Sequence, residues 1–207
     1  MELNRLTLSV FSENCYFYHD DKDCVVFDPG SDFEYIKDFL NSKGLKVKYI
    51  LLTHTHFDHA GAVVDLQNYS NCEVMCTEKD LLMMDDMNEL APMFGTNPIK
   101  IPTIDRFLED NDEIDFNGVK IKVITTPGHT AGGVCFYIEQ DGILISGDTL
   151  FLESVGRSDF PTGNMDELSD SIKNKLYSLP DNTLVYPGHG LHTTIGYEKV
   201  SNPFVRL

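Results

Sequence analysis

Thr53-His54-Thr55-His56-Phe57-Asp58-His59 places three imidazoles and a carboxylate within a few residues of one another. The stretch follows the apolar run Tyr49-Ile50-Leu51-Leu52, which is short and largely aliphatic. Such a run reads as a buried strand that delivers the cluster to its end. Imidazole nitrogen and carboxylate oxygen are the donors that suit zinc, iron or manganese. One histidine in a polar turn would carry no such message, whereas a His-x-His-x-Asp-His spacing straight after a strand does.

Three further segments repeat this logic. Residues 119–124 lead into Thr125-Thr126-Pro127-Gly128-His129-Thr130, residues 143–145 into Ser146-Gly147-Asp148-Thr149, and residues 184–186 into Pro187-Gly188-His189-Gly190. Each sets one potential ligand beside a glycine just past an expected strand. Four strand ends meeting at one edge would gather His54, His56, Asp58, His59, His129, Asp148 and His189. Seven donors exceed what one zinc takes, so two metals sharing a bridging group is the economical arrangement. His19, in a charged turn, and His192, in a short loop, are expected to be bystanders.

The rest of the chain supplies a scaffold. Strands are expected at 3–10, 15–18, 24–27, 47–52, 73–76, 113–116, 119–124, 134–138, 143–146 and 184–186. Asn117-Gly118 and Gln140-Asp141-Gly142 mark two hairpins. Ser31 with Glu34 suggests a capping box for a helix that Gly44 ends. Helices are also expected over 60–66, after a Thr77 cap, over 165–178 with Asn164 as cap, and over 194–200. Residues 87–106, with Pro92, Gly95, Pro98 and Pro102 and no period, read as a loop. Alternating groups of strands and helices make a single α+β domain over 1–207, two sheets covered by helices.

Composition narrows the partners. The formal net charge is −17, and no cluster of lysines and arginines offsets it, so nucleic acid and anionic membrane are disfavoured. No stretch approaches the ~20 apolar residues of a membrane span. The first residues lack the pattern of a secretion signal. Cys15, Cys24, Cys72, Cys76 and Cys135 form an odd set without metal-ribbon spacing. They are expected as core thiols of a cytoplasmic protein.

Taken together, Thr53 to His59, Pro127-Gly128-His129-Thr130, Gly147-Asp148-Thr149 and Gly188-His189 resemble the metallo-β-lactamase superfamily. The resemblance implies a four-layer αββα sandwich with metals at one edge. It also implies that His54, His56 and His129 hold one metal, and Asp58, His59 and His189 the other, with Asp148 bridging. The zinc β-lactamases of that superfamily typically carry Cys where this chain has Asp148. The segments from Ser154 to Gly163 and from Gly188 to Gly196 look like the short bacterial glyoxalase II-like (hydroxyacylglutathione hydrolase-like) proteins. True glyoxalase II adds a C-terminal helical domain that helps bind glutathione, for which this chain leaves no room.

The resemblance therefore implies a binuclear metallohydrolase that cleaves a small anionic thioester such as S-lactoylglutathione. A metal-bridging hydroxide oriented by Asp58 would attack the acyl carbonyl, with two divalent ions, zinc foremost and iron or manganese acceptable. The thiolate leaving group needs little protonation, which agrees with the lack of a clear general acid. Two alternatives stand beside it. One is a mono-iron persulfide dioxygenase using His54, His129 and Asp148; the other is a non-catalytic metal-binding module. Arg157 and Asp159 are expected to pair with each other in preference to facing substrate, and Asp28 to orient a ligand imidazole or to form a simple turn.

Overall fold

The computed structural model describes residues 1–207, which divide into two compact units, Met1–Phe107 and Leu108–Leu207. The first is built on one six-stranded mixed sheet. β1 (Glu2–Leu8), β2 (Glu13–His19) and β3 (Asp23–Phe27) form an antiparallel meander. β4 (Lys46–Leu51), β5 (Glu73–Cys76) and β6 (Arg106–Phe107) then add in parallel, giving the order β1-β2-β3-β4-β5-β6. Parallel neighbours need crossovers, and helices supply them. These are α1 (Phe33–Lys43) before β4, α2 (Phe57–Ala60) and α3 (Val63–Ser70) before β5, and α4 (Glu78–Leu90) before β6. Ile36, Leu40, Val63, Leu66 and Met84 of the helices pack with Phe17, Val26, Ile50 and Val74 of the sheet. β2 is buried at all seven positions, as a strand covered on both faces must be.

The Ser31–Glu34 capping box does not form. Asp32 precedes α1 in a left-handed conformation with no side-chain cap. Its carboxylate instead accepts the Ser9 amide at 2.7 Å and the Ser31 hydroxyl at 3.1 Å, tying the helix start to the β1–β2 turn. Glu34 pairs with Lys37. The helix expected over 60–66 is two helices, and α2 already begins inside the histidine stretch. Between them the Ala62 amide donates to the Pro29 carbonyl, and a Cβ on Gly61 would overlap the Gly30 carbonyl. α4 extends into the expected 87–106 loop, because Met83, Met84 and Met87 bury one side of it; a 3-10 turn (Ala91–Phe94) follows.

The second unit is also built on a six-stranded mixed sheet. β7 (Glu113–Phe116), β8 (Val119–Thr125), β9 (Val134–Ile138) and β10 (Ile143–Gly147) run antiparallel in turn. A short ribbon of β11 (Leu150–Phe151) and β12 (Ser154–Val155) precedes α5 (Met165–Asp170). β13 (Leu184–Pro187) lies parallel to β10, β14 (Thr193–Thr194) borders β13, and α6 (Ile195–Ser201) follows. The sheet order is β14-β13-β10-β9-β8-β7. Both expected hairpins form, and Asn117 and Gly118 take φ of 51° and 86°, the positive angles a tight hairpin turn demands.

The helix expected over 165–178 has the right extent and a different winding. Asn164 caps α5 through the Asp166 and Glu167 amides, but from Ser171 to Lys175 the chain turns as a π-helix, and then as a 3-10 turn (Leu176–Ser178). Leu168, Ile172 and Leu176 are nonetheless all buried against Leu144, Val185 and Ile195.

All five cysteines are free thiols, and all but the half-buried Cys72 are in the core. Burial pushes the Cys76 thiol up to about 12 and that of Cys72 to about 11. No helix is long and apolar enough to cross a membrane.

Candidate metal centre

Strand direction explains where the candidate ligands fall. In the first unit β3 and β4 are parallel, so their C-terminal ends lie at the same edge, with Phe27 beside Leu51. The residues just past those ends include Asp28 and Thr53. The Thr53 amide donates to Asp28 Oδ1 at 2.7 Å and the Thr53 hydroxyl to Oδ2 at 2.6 Å. In the second unit β8, β10 and β13 all point the same way, so Thr125, Gly147 and Pro187 end at one edge. There the Gly188 amide donates to the Gly147 carbonyl. Ligands outside the carboxyl ends of strands are the usual outcome of this geometry.

His54, His56 and His59 come together in the first unit. The His54 ring centroid is 4.6 Å from that of His56 and 4.1 Å from that of His59, and all three are buried. Hydrogen-bond accounting assigns the protons of His54 and His59. The only hydrogen of the Thr53 hydroxyl goes to Asp28, so its 3.1 Å contact with His54 Nδ1 requires that nitrogen to be the donor. His59 Nδ1 likewise donates to Asp28 Oδ2 at 3.1 Å. Both histidines therefore carry their lone pair on Nε2, the form that binds a metal. Asp28 lies close enough to His54 and His59 to be counted with them as a ligand group. Its Oδ2 accepts from both the Thr53 hydroxyl and His59 Nδ1 and its Oδ1 from the Thr53 amide, contacts that fix the orientation of the neighbouring imidazoles. Asp58, in the first turn of α2, is half-buried on the wall of a cleft of about 310 Å³ that is also lined by Phe11, Phe33, Phe57 and Ile99.

His129, Asp148 and His189 come together in the second unit. Asp148 Oδ2 stands 3.6 Å from His129 Nε2 and 3.7 Å from His189 Nε2. Two donors that hold the same ion at about 2.0–2.2 Å with a tetrahedral angle stand about 3.3–3.6 Å apart, so the His129 distance falls at the top of that range and the His189 distance just beyond it. His129 Nδ1 lies 2.6 Å from the Arg157 carbonyl, which can only accept. That again leaves the lone pair on Nε2. A Cβ on Gly156 would overlap the Asp148 carbonyl and come within 3.2 Å of His129 Nδ1. The loop can therefore reach His129 only with glycine at 156.

Neither Thr53 nor the Arg157 carbonyl was expected from the sequence as a site residue. The Arg157 side chain pairs with Asp159 through two hydrogen bonds of 2.7 and 2.8 Å and lies 3.8 Å over the Phe160 ring. His19 bonds Asn4 and the Asp20 carbonyl, and the exposed His192 stacks on Tyr186; neither joins a ligand group.

Residues 8–189 match the model of the metallo-beta-lactamase superfamily. The chain belongs to that superfamily. It has the corresponding fold, with two mixed sheets flanked by helices, as the resemblance implied. It is 35% identical to hydroxyacylglutathione hydrolase GloC of Haemophilus influenzae, over 99% of this chain and 98% of that one. Among solved structures it is similar to BLEG-1 B3 metallo-beta-lactamase, at 36% identity and a TM-score of 0.93 over 99% of both chains. It is also similar to TTHA1623 in a di-iron-bound form, at 37% identity and a TM-score of 0.87 over 97% of this chain and 99% of that one. Family and donor set together give a metal-binding protein of the metallo-hydrolase type.

Proposed function

We propose that this protein hydrolyses a small acyl thioester at a binuclear centre, with His54, His56 and His129 holding one divalent ion and Asp58, His59 and His189 the other. Asp148 would be shared between them. The observation that carries the reading is the proton assignment of His54, His59 and His129. Each spends Nδ1–H on a protein acceptor and presents Nε2, as a set of metal-binding imidazoles must. The full-length likeness to a protein named hydroxyacylglutathione hydrolase supports the thioester class. Zinc, iron and manganese all suit the donors, and a similar structure is di-iron-bound.

Divalent ions held there lower the pKa of a bound water toward 7 and polarise an acyl carbonyl. The protein's own part is geometric. Asp58 is placed to orient the attacking water. A thiolate leaving group has a pKa of about 8–9 and departs without a dedicated acid. Arg157 is engaged by Asp159 and is not assigned to substrate recognition.

Elemental analysis of the purified protein, combined with thiol release from S-lactoylglutathione, tests this. The expected result is near two ions per chain and thiol release that His189→Ala abolishes. One iron per chain, with oxygen uptake on glutathione persulfide and no thiol release, would replace the reading with a dioxygenase. Cleavage of a chromogenic cephalosporin without thioesterase activity would replace it with a lactamase.

A further inference from the structure

One helical segment holds the turn that carries His129. The Asn164 amide donates to the Gly128 carbonyl at 2.7 Å, the Ser171 hydroxyl to the Pro127 carbonyl at 2.8 Å, and Lys175 Nζ to the Thr125 carbonyl at 2.8 Å. Three of the four carbonyls immediately before His129 are thus bound by this one segment, through the backbone amide of its cap residue and the side chains of Ser171 and Lys175. The approach is so close that a Cβ on Gly128 would overlap the backbone of Leu168. Lys175 also donates to the Thr125 hydroxyl at 2.8 Å, and that hydroxyl donates onward to Asp110 Oδ1 at 2.8 Å.

The π turn begins at Ser171 and ends at Lys175, so the irregular winding spans the two side-chain donors. Such turns are rare inside helices and recur at functional sites. Burial of Leu168, Ile172 and Leu176 would keep the segment in place without either polar contact. The Arg157 carbonyl sets the rotation of the His129 ring but not the position of its backbone. Two restraints of different origin therefore converge on this imidazole.

We propose that Ser171 and Lys175 are positioning residues for His129, placing its Nε2 relative to Asp148 and so setting the affinity for a divalent cation. This rests on the reading of His129 as a ligand. The test uses the full chain and the Ser171→Ala, Lys175→Met and double variants, with Lys175→Arg as the conservative control. Zn²⁺ affinity is measured by chelator competition, the visible spectrum after Co²⁺ loading reports ligand geometry, and urea unfolding reports stability. The expected result is a roughly tenfold weaker affinity for one ion and an altered Co²⁺ spectrum in the double variant, with Lys175→Arg close to wild type. Lower stability with unchanged affinity and spectrum would overturn the proposal; the single variants decide it if the double variant does not fold. Failure of the wild-type protein to bind Zn²⁺ or Co²⁺ would fell the ligand reading itself, and is seen before any variant is compared.

Discussion

The Asp28 carboxylate accepts the Thr53 hydroxyl at 2.6 Å, and this one bond decides which nitrogen of His54 carries a proton. With its hydrogen committed, Thr53 can only accept from His54 Nδ1, and Nε2 is left as the donor to a metal. Asp28 holds His59 in the same tautomer. One carboxylate thereby governs two imidazoles, one through a hydroxyl and one directly. Thr53→Val keeps the shape and removes the hydroxyl, and is expected to weaken metal binding by about 10- to 100-fold with little loss of fold. Thr53→Ser should bind like the wild type. Chelator competition reads both; equal affinity in all three would show that His54 is oriented by something else.

Gly156 is the second place where a small change should matter. A methyl group there meets the Asp148 carbonyl and the His129 ring edge at once. Overpacking of a buried site typically costs about 1–3 kcal/mol, and here the backbone must retreat from His129 to relieve it. Gly156→Ala is therefore expected to lose stability of that order in urea and also to lose metal. A variant with wild-type metal content would show that the Arg157 carbonyl is dispensable to His129.

The histidine-rich turn and the three glycine-flanked candidate ligands stood out in the sequence because each is local: a strand pattern, then a donor, within a few residues. Asp28 was partly legible, as an acid just past a strand. Its link to Thr53 depends on β3 and β4 being parallel neighbours, a tertiary fact that no spacing announces. The Arg157 carbonyl is a backbone atom and leaves no signature in the sequence at all. Ser31 and Glu34 had the right spacing for a capping box, yet Asp32 was recruited by the Ser9 amide and the local motif lost to a tertiary contact. The π turn was hidden for a related reason. Leu168, Ile172 and Leu176 repeat every four residues, which suits either winding, and the donors that accompany the change bind carbonyls far away in sequence.

The Arg157–Asp159 pair gives a pH prediction. Hydrogen bonds from the Arg157 guanidinium hold the Asp159 carboxyl down to about 2. Because the folded value is depressed, whatever the pair contributes is present above the ordinary aspartate value of about 4 and is lost as pH falls through about 2. Between about pH 5 and 8 the pair should therefore impose no pH dependence. Arg157→Ala is expected to return the Asp159 midpoint in a carbon-13 NMR titration to the ordinary range. It should leave metal content unchanged, because His129 uses the carbonyl of residue 157 and not its side chain. Loss of metal in that variant would assign the guanidinium a role at the centre.

Chelation separates a metal that works from a metal that holds the fold. Each unit has its own apolar core: Phe17, Val26, Ile50 and Leu66 in the first, Leu144, Leu168, Ile172 and Val185 in the second. Those cores do not depend on an ion, unlike a zinc finger, which is unfolded without one. A bound ion still adds stability by mass action, about 2.7 kcal/mol at a concentration roughly one hundred times its Kd. Treatment with EDTA is therefore expected to lower the Tm by several degrees while leaving the far-UV circular dichroism intact, and re-addition of Zn²⁺ should restore the Tm. Collapse of the spectrum on chelation would instead make the ions structural. In that event the proton-assigned imidazoles of His54, His59 and His129 would be read as clamps on the fold, and a hydrolytic role would have to be shown by turnover alone.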